Sequence, residues 1–448
     1  MSDDFRFPSI SRRRFLAQGA AAGAVATLAG ARLARGNDAA PRRPKVAVVF
    51  TEFTYRSHAH VIVENFLLPY LFNGQVTDPG VDVVSFYGDQ FPPNDMSRDV
   101  AKEFKIPIYP TIAEALCRGG GKLAVDAVLL IGEHGNYPEN EKGQTEYPRK
   151  RFFDETVAVF ERSGRVAPVF NDKHLSYRWD WAKEMFDTAR KLKIPLMAGS
   201  SVPLAQRRPP LALPEGAKIV EAVSIHGGEP ERYGFHALEV LQSFVEFRAG
   251  GETGVSSVRF LQGESLWKAA DAGLWNLKLA EAAMAAELGP GQPPLRELAA
   301  KLEGETPHGI LVNYRDGLRG IALGLGRNGS RWNFACQLVG EPQPRVTRLY
   351  NGPWNNRNLF KALSHAIQTF FREGRAPYPV ERTLLVTGAL DAAMDSRFQS
   401  GKSIATPQLE FAYQPIDFGA LRETGASWKI ITDETPEPAG VGQPSFNY

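Results

Sequence analysis

From Lys45 to Ala198 the chain alternates short, continuously apolar runs with helical segments, and this alternation restricts its fold more than any other feature. Lys45–Phe50 (KVAVVF), Val81–Tyr87, Asp126–Ile131 (DAVLLI), Val166–Phe170 and Pro195–Ala198 read as strands. Between them His58–Leu71, Thr111–Cys117, Phe152–Arg162 and Arg178–Lys191 read as helices. A strand that is apolar at nearly every position is buried on both faces, as in parallel sheets covered by their crossover helices. The reading is α/β, a Rossmann-like doubly wound parallel sheet over residues 44–203.

Beyond Pro203 the texture changes. The run from Arg207 to Pro214 reads as a crossing linker. Lys218–His226, Val255–Gln262, Gly309–Tyr314, Leu318–Leu325, Arg331–Val339 and Arg345–Leu349 then alternate like strands joined by turns. Phe235–Phe247, Ala269–Leu288, Pro294–Leu302, Asn358–Glu373 and Val380–Phe398 read as helices. Residues 204–448 are therefore expected to form an α+β domain with a mainly antiparallel open sheet and closing helices. An exposed face of that sheet could pair two copies into a homo-oligomer.

Residues 1–43 differ again. Arg12-Arg13 precede Phe15-Leu16 and an Ala/Gly-rich stretch to Ala34, the layout of a twin-arginine signal followed by a disordered linker. The expected partner is the Tat export machinery and the destination periplasmic or extracytoplasmic. Arg32 and Arg35 leave the stretch too weakly apolar for a stable span, and no Cys stands beside it, so no stable membrane anchor is expected. A net charge of +2 argues against a nucleic-acid surface. A disulfide between Cys117 and Cys336 is permitted outside the cytoplasm but not implied, and two free buried thiols are the expectation.

Several loops carry chemistry. A doubly wound fold places its phosphate turn after the first strand, yet Thr51–Ser57 holds no glycine. Thr54, Arg56 and Ser57 could hold a phosphate in another way, or Ser57 could simply cap the next helix. Gly324–Gly329 matches G-x-G-x-x-G by letter, but a strand-like segment follows and Asn328-Gly329 is a hairpin signal. His58 and His60 diverge on a helix, so no metal site is expected. Asp89, after the second strand, could meet a ribose hydroxyl. Glu133, His134, Tyr137, Tyr147 and Arg149 follow the strand Asp126–Ile131, where ligand crevices form, and suit a polyhydroxylated, carbohydrate-like or anionic small molecule. A solvated insertion is the alternative. Lys173, directly after another strand, could polarise a hydroxyl or carbonyl, while Asp172 or Ser176 could merely cap a helix. Trp354 and Asn355 could stack on and bond to a sugar, or open the following helix.

The order of elements, with Asp172-Lys173-His174-Leu175-Ser176 and with Gly227-Gly228 ahead of Arg232-Tyr233-Gly234-Phe235-His236, resembles the glucose-fructose oxidoreductase/inositol dehydrogenase (Gfo/Idh/MocA) family. The family's Glu-Lys-Pro segment falls on Asp172, Lys173 and His174; its Asp-x-Gly-x-His segment falls on Arg232, Gly234 and His236. The resemblance implies an NAD(P) cofactor with Asp172 beside it, and Arg232 on the substrate side. It also implies that Lys173 and His236 handle the proton of a sugar or cyclitol hydroxyl that gives hydride to nicotinamide. The glycine-free loop and Arg232 in place of an acid depart from the family pattern. Three readings stay open: an exported NAD(P)-dependent oxidoreductase, a cofactor-less carbohydrate-binding or interaction protein of the same fold, and a nicotinamide-assisted glycoside hydrolase.

Overall fold

The structure, a computed structural model, describes residues 42–304 and 306–442; the twin-arginine segment lies outside the described residues. The first half contains β1 (Lys45–Phe50), α1 (His58–Leu67), β2 (Tyr70–Phe72), β3 (Gln75–Thr77), β4 (Asp82–Gly88), α2 (Ser97–Phe104) and α3 (Ile112–Cys117). It continues with β5 (Ala127–Ile131), α4 (Arg149–Ser163), β6 (Val169–Asp172), α5 (Trp179–Leu192) and β7 (Leu196–Gly199). The main strands form one parallel sheet in the order β4-β1-β5-β6-β7. Val46, Val48 and Phe50 face one core while Ala47 and Val49 face the other, which is why β1 is apolar throughout. Chain order reverses between β1 and β5, so a crevice is expected at their carboxyl ends.

The helix read as His58–Leu71 stops at Leu67. Leu68 precedes Pro69, which disfavours helical backbone, and Leu68 is extended (φ −124°, ψ 151°). The released residues pair β2 with β3 around Asn73-Gly74, both in the left-handed region, as a two-residue hairpin requires.

The second half contains β8 (Gln206–Arg208), β9 (Ile219–His226), α6 (Arg232–Val245), β10 (Val255–Gln262), α7 (Glu264–Asp271), α8 (Leu277–Leu288) and α9 (Leu295–Lys301). After these come β11 (His308–Tyr314), β12 (Arg319–Gly324), β13 (Trp332–Leu338), β14 (Arg345–Tyr350), α10 (Asn356–Glu373), α11 (Val380–Phe398) and β15 (Ile404–Ala405). Its sheet runs β15-β10-β11-β12-β9-β13-β14-β8, and only the β12–β9 pair is parallel.

Four details differ from the sequence reading. The supposed linker opens with β8, an edge strand of the sheet. The helix read as Ala269–Leu288 is two, broken at Gly273 (φ 71°), with Asn276 capping α8 through the Leu279 N–H. No helix follows Gly324–Gly329, as expected, but β12 and β13 do not form a hairpin: they flank β9, and the turn crosses its end. Gly227 makes room for that crossing, since a Cβ there would lie 2.4 Å from the Asn328 carbonyl oxygen. Finally, the sheet face expected to meet a second copy is covered by α7–α9, where Leu279, Ala283 and Met284 join Val223, Leu323 and Ala335 in one core.

On the other face α6 and α11 fill the space between the two sheets, α11 packing against β10, α6 and β7. Cys117 and Cys336 are free and buried. No helix among the described residues is long and apolar enough to cross a membrane.

Candidate functional site

The carboxyl ends of β5 and β6 meet the start of α6 in a dense polar cluster. Two of its residues, His134 (φ 71°) and Lys173 (φ 63°), hold left-handed backbone, which costs a non-glycine residue on the order of 1 kcal/mol or more and persists only where the surroundings enforce it. The Lys173 ammonium donates to Glu133 Oε1 (2.8 Å) and to the Arg232 carbonyl (3.2 Å). Arg149 pairs with the other Glu133 oxygen and donates to His174 Nε2 (3.0 Å). Burial opposes ionisation of Glu133, yet Lys173 and Arg149 hold its carboxyl well below the ordinary range.

Glu231, immediately before α6, has the opposite setting. Burial, with the Glu133 charge adding to it, pushes its carboxyl up to about 7. Its Oε1 lies 3.5 Å from His174 Nε2 and has no hydrogen-bond partner among the described residues. Burial, aided by Arg149, keeps His174 neutral. Because Nε2 accepts from Arg149, Nδ1 carries the proton, and it is buried without a partner. One carboxylate held ionised beside one acid poised near neutrality is the arrangement that divides acid from base roles.

Three imidazoles border this cluster. His58, the first residue of α1, shares a 2.6 Å hydrogen bond between Nδ1 and Asp172 Oδ2, leaving Nε2 with no hydrogen bond among the described residues. Its ring meets the edge of Phe360 from α10 (4.6 Å) and faces His134 (5.1 Å). His236, in the second turn of α6, shares a 2.6 Å hydrogen bond between Nδ1 and Ser200 Oγ. Burial, reinforced by the Lys173 charge, keeps His236 neutral. Lys173 forms a β-bridge with Gly199, whose neighbour Ser200 bonds His236, so the two side chains share one region. Burial lowers His134 to about 4. Trp332 packs edge-on to His236 (5.4 Å) and stacks with Tyr233 (5.9 Å). Among the described residues no His, Cys, Asp and Glu group suited to a metal is present.

The structure therefore brings Glu133, His134, Arg149, Asp172, Lys173 and His236 together. Tyr147 and Arg232 flank the cluster: Tyr147, buried, lies against the Arg149 guanidinium (5.0 Å), and Arg232 donates to Thr145 Oγ1 (3.4 Å). Tyr137 and Asp89 belong to an adjoining network, in which the Asp89 carboxylate accepts from the hydroxyls of Tyr137 (2.6 Å) and Tyr87 (2.7 Å) and pairs with Arg151.

Thr54, Arg56, Ser57, Trp354 and Asn355 lie elsewhere, around the start of α1. There the Thr54 and His60 N–H groups donate to Ser57 Oγ, the Arg56 N–H to His60 Nδ1, and the His58 N–H to His134 Nδ1. Thr54 Oγ1 donates to Glu52. Phe53 is fully buried and its carbonyl accepts from the Met96 N–H. α10 docks over this end through Asn356, which donates to the Arg56 carbonyl (3.0 Å). The segment around Glu437 closes over it: that carboxylate pairs with Arg56 and Arg357 and accepts from Tyr55. Trp354 Nε1 donates to the Thr435 carbonyl (3.0 Å), and Asn355 accepts from Ser330 Oγ (3.0 Å).

Sequence reasoning set His58 aside with its H-x-H pair and passed over Glu231 and Glu437. For His58 the usable signal was its place, first on the helix after β1. Nothing local marks Glu231 within Glu229–Arg232, or Glu437 in a polar tail.

No protein-family model matches the chain, and no curated protein matches its sequence. Solved structures do resemble it. GenD2 from gentamicin A biosynthesis, solved with NAD, superposes with a TM-score of 0.52 at 14% identity over 83% of this chain and 99% of that one. A myo-inositol dehydrogenase from Lactobacillus casei, solved with NAD(H) and myo-inositol, gives 0.52 at 14% identity over 81% and 97%. An oxidoreductase from Agrobacterium radiobacter, solved with NAD+, L-tartaric acid and magnesium, gives 0.51 at 12% identity over 81% and 98%. The likeness is one of fold: the two-domain arrangement of Gfo/Idh/MocA-type oxidoreductases, a parallel Rossmann-like sheet followed by a mainly antiparallel one.

Proposed function

We propose that this chain is a cofactor-free form of the dehydrogenase fold that binds a small polyhydroxylated ligand, cyclitol- or sugar-like, in the Lys173 crevice. One observation carries the reading: the N–H groups of Thr54, Arg56, His58 and His60 around the start of α1 are engaged within the chain, and the Glu437 carboxylate pairs with Arg56 and Arg357 beside them. A dinucleotide needs free N–H groups at that helix end and close backbone approach for its pyrophosphate. Phe53, the side-chain acceptors and a fixed carboxylate take that space and charge, so the residues present do not fit the group. Asp89, the candidate for a ribose hydroxyl, is likewise held by two tyrosines and an arginine. A nicotinamide-assisted glycoside hydrolase meets the same obstacle.

The Lys173 crevice keeps what a polyol would use. The ammonium has donor capacity beyond Glu133 and Arg232, the Nε2 atoms of His58 and His236 have no hydrogen bond among the described residues, and Trp332, stacked with Tyr233, packs beside His236. Titrating the protein calorimetrically with inositols, hexoses and uronic acids, with no nicotinamide present, should give saturable binding that Lys173→Met abolishes. Failure of every such ligand to bind without NAD(P) would overturn the reading.

The placement of Lys173 near His236 favours a second reading, an NAD(P)-dependent oxidoreductase on a sugar or cyclitol, which requires the α1 end to open. We further propose that residues 9–35 direct export by the twin-arginine route. A reporter fused after residue 43 should leave the cytoplasm, and Arg12→Lys with Arg13→Lys should retain it; export of the double variant at the original level would contradict the proposal.

A further inference from the structure

The deeply buried arginines among the described residues follow one rule. Arg149, Arg248, Arg331, Arg357 and Arg382 each hold a glutamate in an ion pair. This is what burial of a guanidinium demands, because an unpaired buried charge forfeits hydration with nothing in return. Arg207, on β8, is half-buried rather than buried, and has no ion-pair partner among the described residues. Its guanidinium lies over the Phe244 ring (3.9 Å) and one nitrogen donates to the Leu211 carbonyl (2.8 Å), but the buried Nε has no partner. Burial and the charge of Arg422 push Arg207 down to about 9.

Arg207 and Arg422 line one cleft of about 560 Å³, a size suited to a small organic molecule. Its walls include Phe244, Phe247 and Phe418. Two carboxylates, Asp417 and Glu215, also line it; both residues are exposed and neither comes within ion-pair distance of the arginines. Asp417 instead accepts from the Gly419 N–H (2.8 Å). The cleft lies toward the carboxyl end of α6, whereas the Lys173 crevice meets its amino end, about 20 Å away for a helix of this length.

We propose that this cleft is a second ligand site, selective for an organic carboxylate with an aromatic or branched apolar body. The carboxylate would bridge Arg207 and Arg422, for which the planar guanidinium fork is suited, while the body packs against Phe244, Phe247 and Phe418. The site is independent of the sugar-binding reading, since it shares no residue with the Lys173 crevice.

The experiment is calorimetric titration of the protein with benzoate, 4-phenylbutyrate and isovalerate, with sulfate as the bare-anion control. Saturable binding of at least one carboxylate is expected, sulfate binding more weakly, and Arg207→Gln and Arg422→Gln should each weaken it about tenfold or more. Arg422→Gln, outside the sheet, keeps the test usable should Arg207→Gln fail to fold. The proposal is overturned if no carboxylate saturates the wild-type protein, if sulfate binds as tightly, or if Arg422→Gln binds as the wild type does.

Discussion

Two regions beyond the carboxyl edge of the parallel sheet use similar polar side chains to opposite effect. Around the start of α1, every donor named above meets an acceptor of the chain itself, and Glu437 with Glu64 neutralises Arg56 and Arg357. Around Lys173 the internal pairs are incomplete: an ammonium, two imidazole Nε2 atoms and a raised carboxyl at Glu231 retain capacity. On the proposed reading, a fold shared with neighbours solved with NAD closes the start of α1 with its own residues and keeps binding capacity around Lys173.

The largest expected effect belongs to the Lys173 end. Glu133→Gln leaves both Lys173 and Arg149 without their buried counter-charge, and should destabilise the protein by about 3–5 kcal/mol in chemical denaturation. A loss below about 1 kcal/mol, the scale of an exposed pair, would mean water already solvates this cluster.

Next comes a pH effect at Glu231. Its folded carboxyl titrates at about 7 against an ordinary 4.5, so between those values the folded chain keeps a proton that the unfolded chain has released. Stability from this group is complete below the lower value and falls as pH rises through the window. Glu231→Gln removes the dependence, so its stability relative to wild type should rise by an amount on the order of 3 kcal/mol between pH 4 and 8. His60 and His134, lowered to about 4, act in the opposite direction in both proteins and cancel in the difference. A flat difference across that range would place Glu231 in water.

The smallest effect is expected at the closed end. Glu437 is partly exposed, and Glu437→Gln should cost about 1 kcal/mol while raising hydrogen exchange around the start of α1. Unchanged exchange there would mean the tail contributes little to the closure.

Much of this was legible in the sequence. The uniformly apolar strands announced a parallel sheet because burial on both faces leaves no polar alternation; Lys173 stood out because it directly follows a strand, and His236 only through the family resemblance. β8 was hidden because three residues in a Pro-rich run carry no periodicity. The break at Gly273 was masked by apolar residues on either side. The closure by Glu437 could not be read at all, because it joins residues nearly four hundred positions apart.

The central claim is that the start of α1 holds no dinucleotide. Purified protein should be denatured and its supernatant assayed for NAD(H) and NADP(H) by mass spectrometry, with a calorimetric NAD(P) titration of the native protein beside it. A closed α1 end predicts no nucleotide in stoichiometric amount and no saturable binding heat. One nicotinamide nucleotide per chain, or saturable NAD(P) binding, would contradict it.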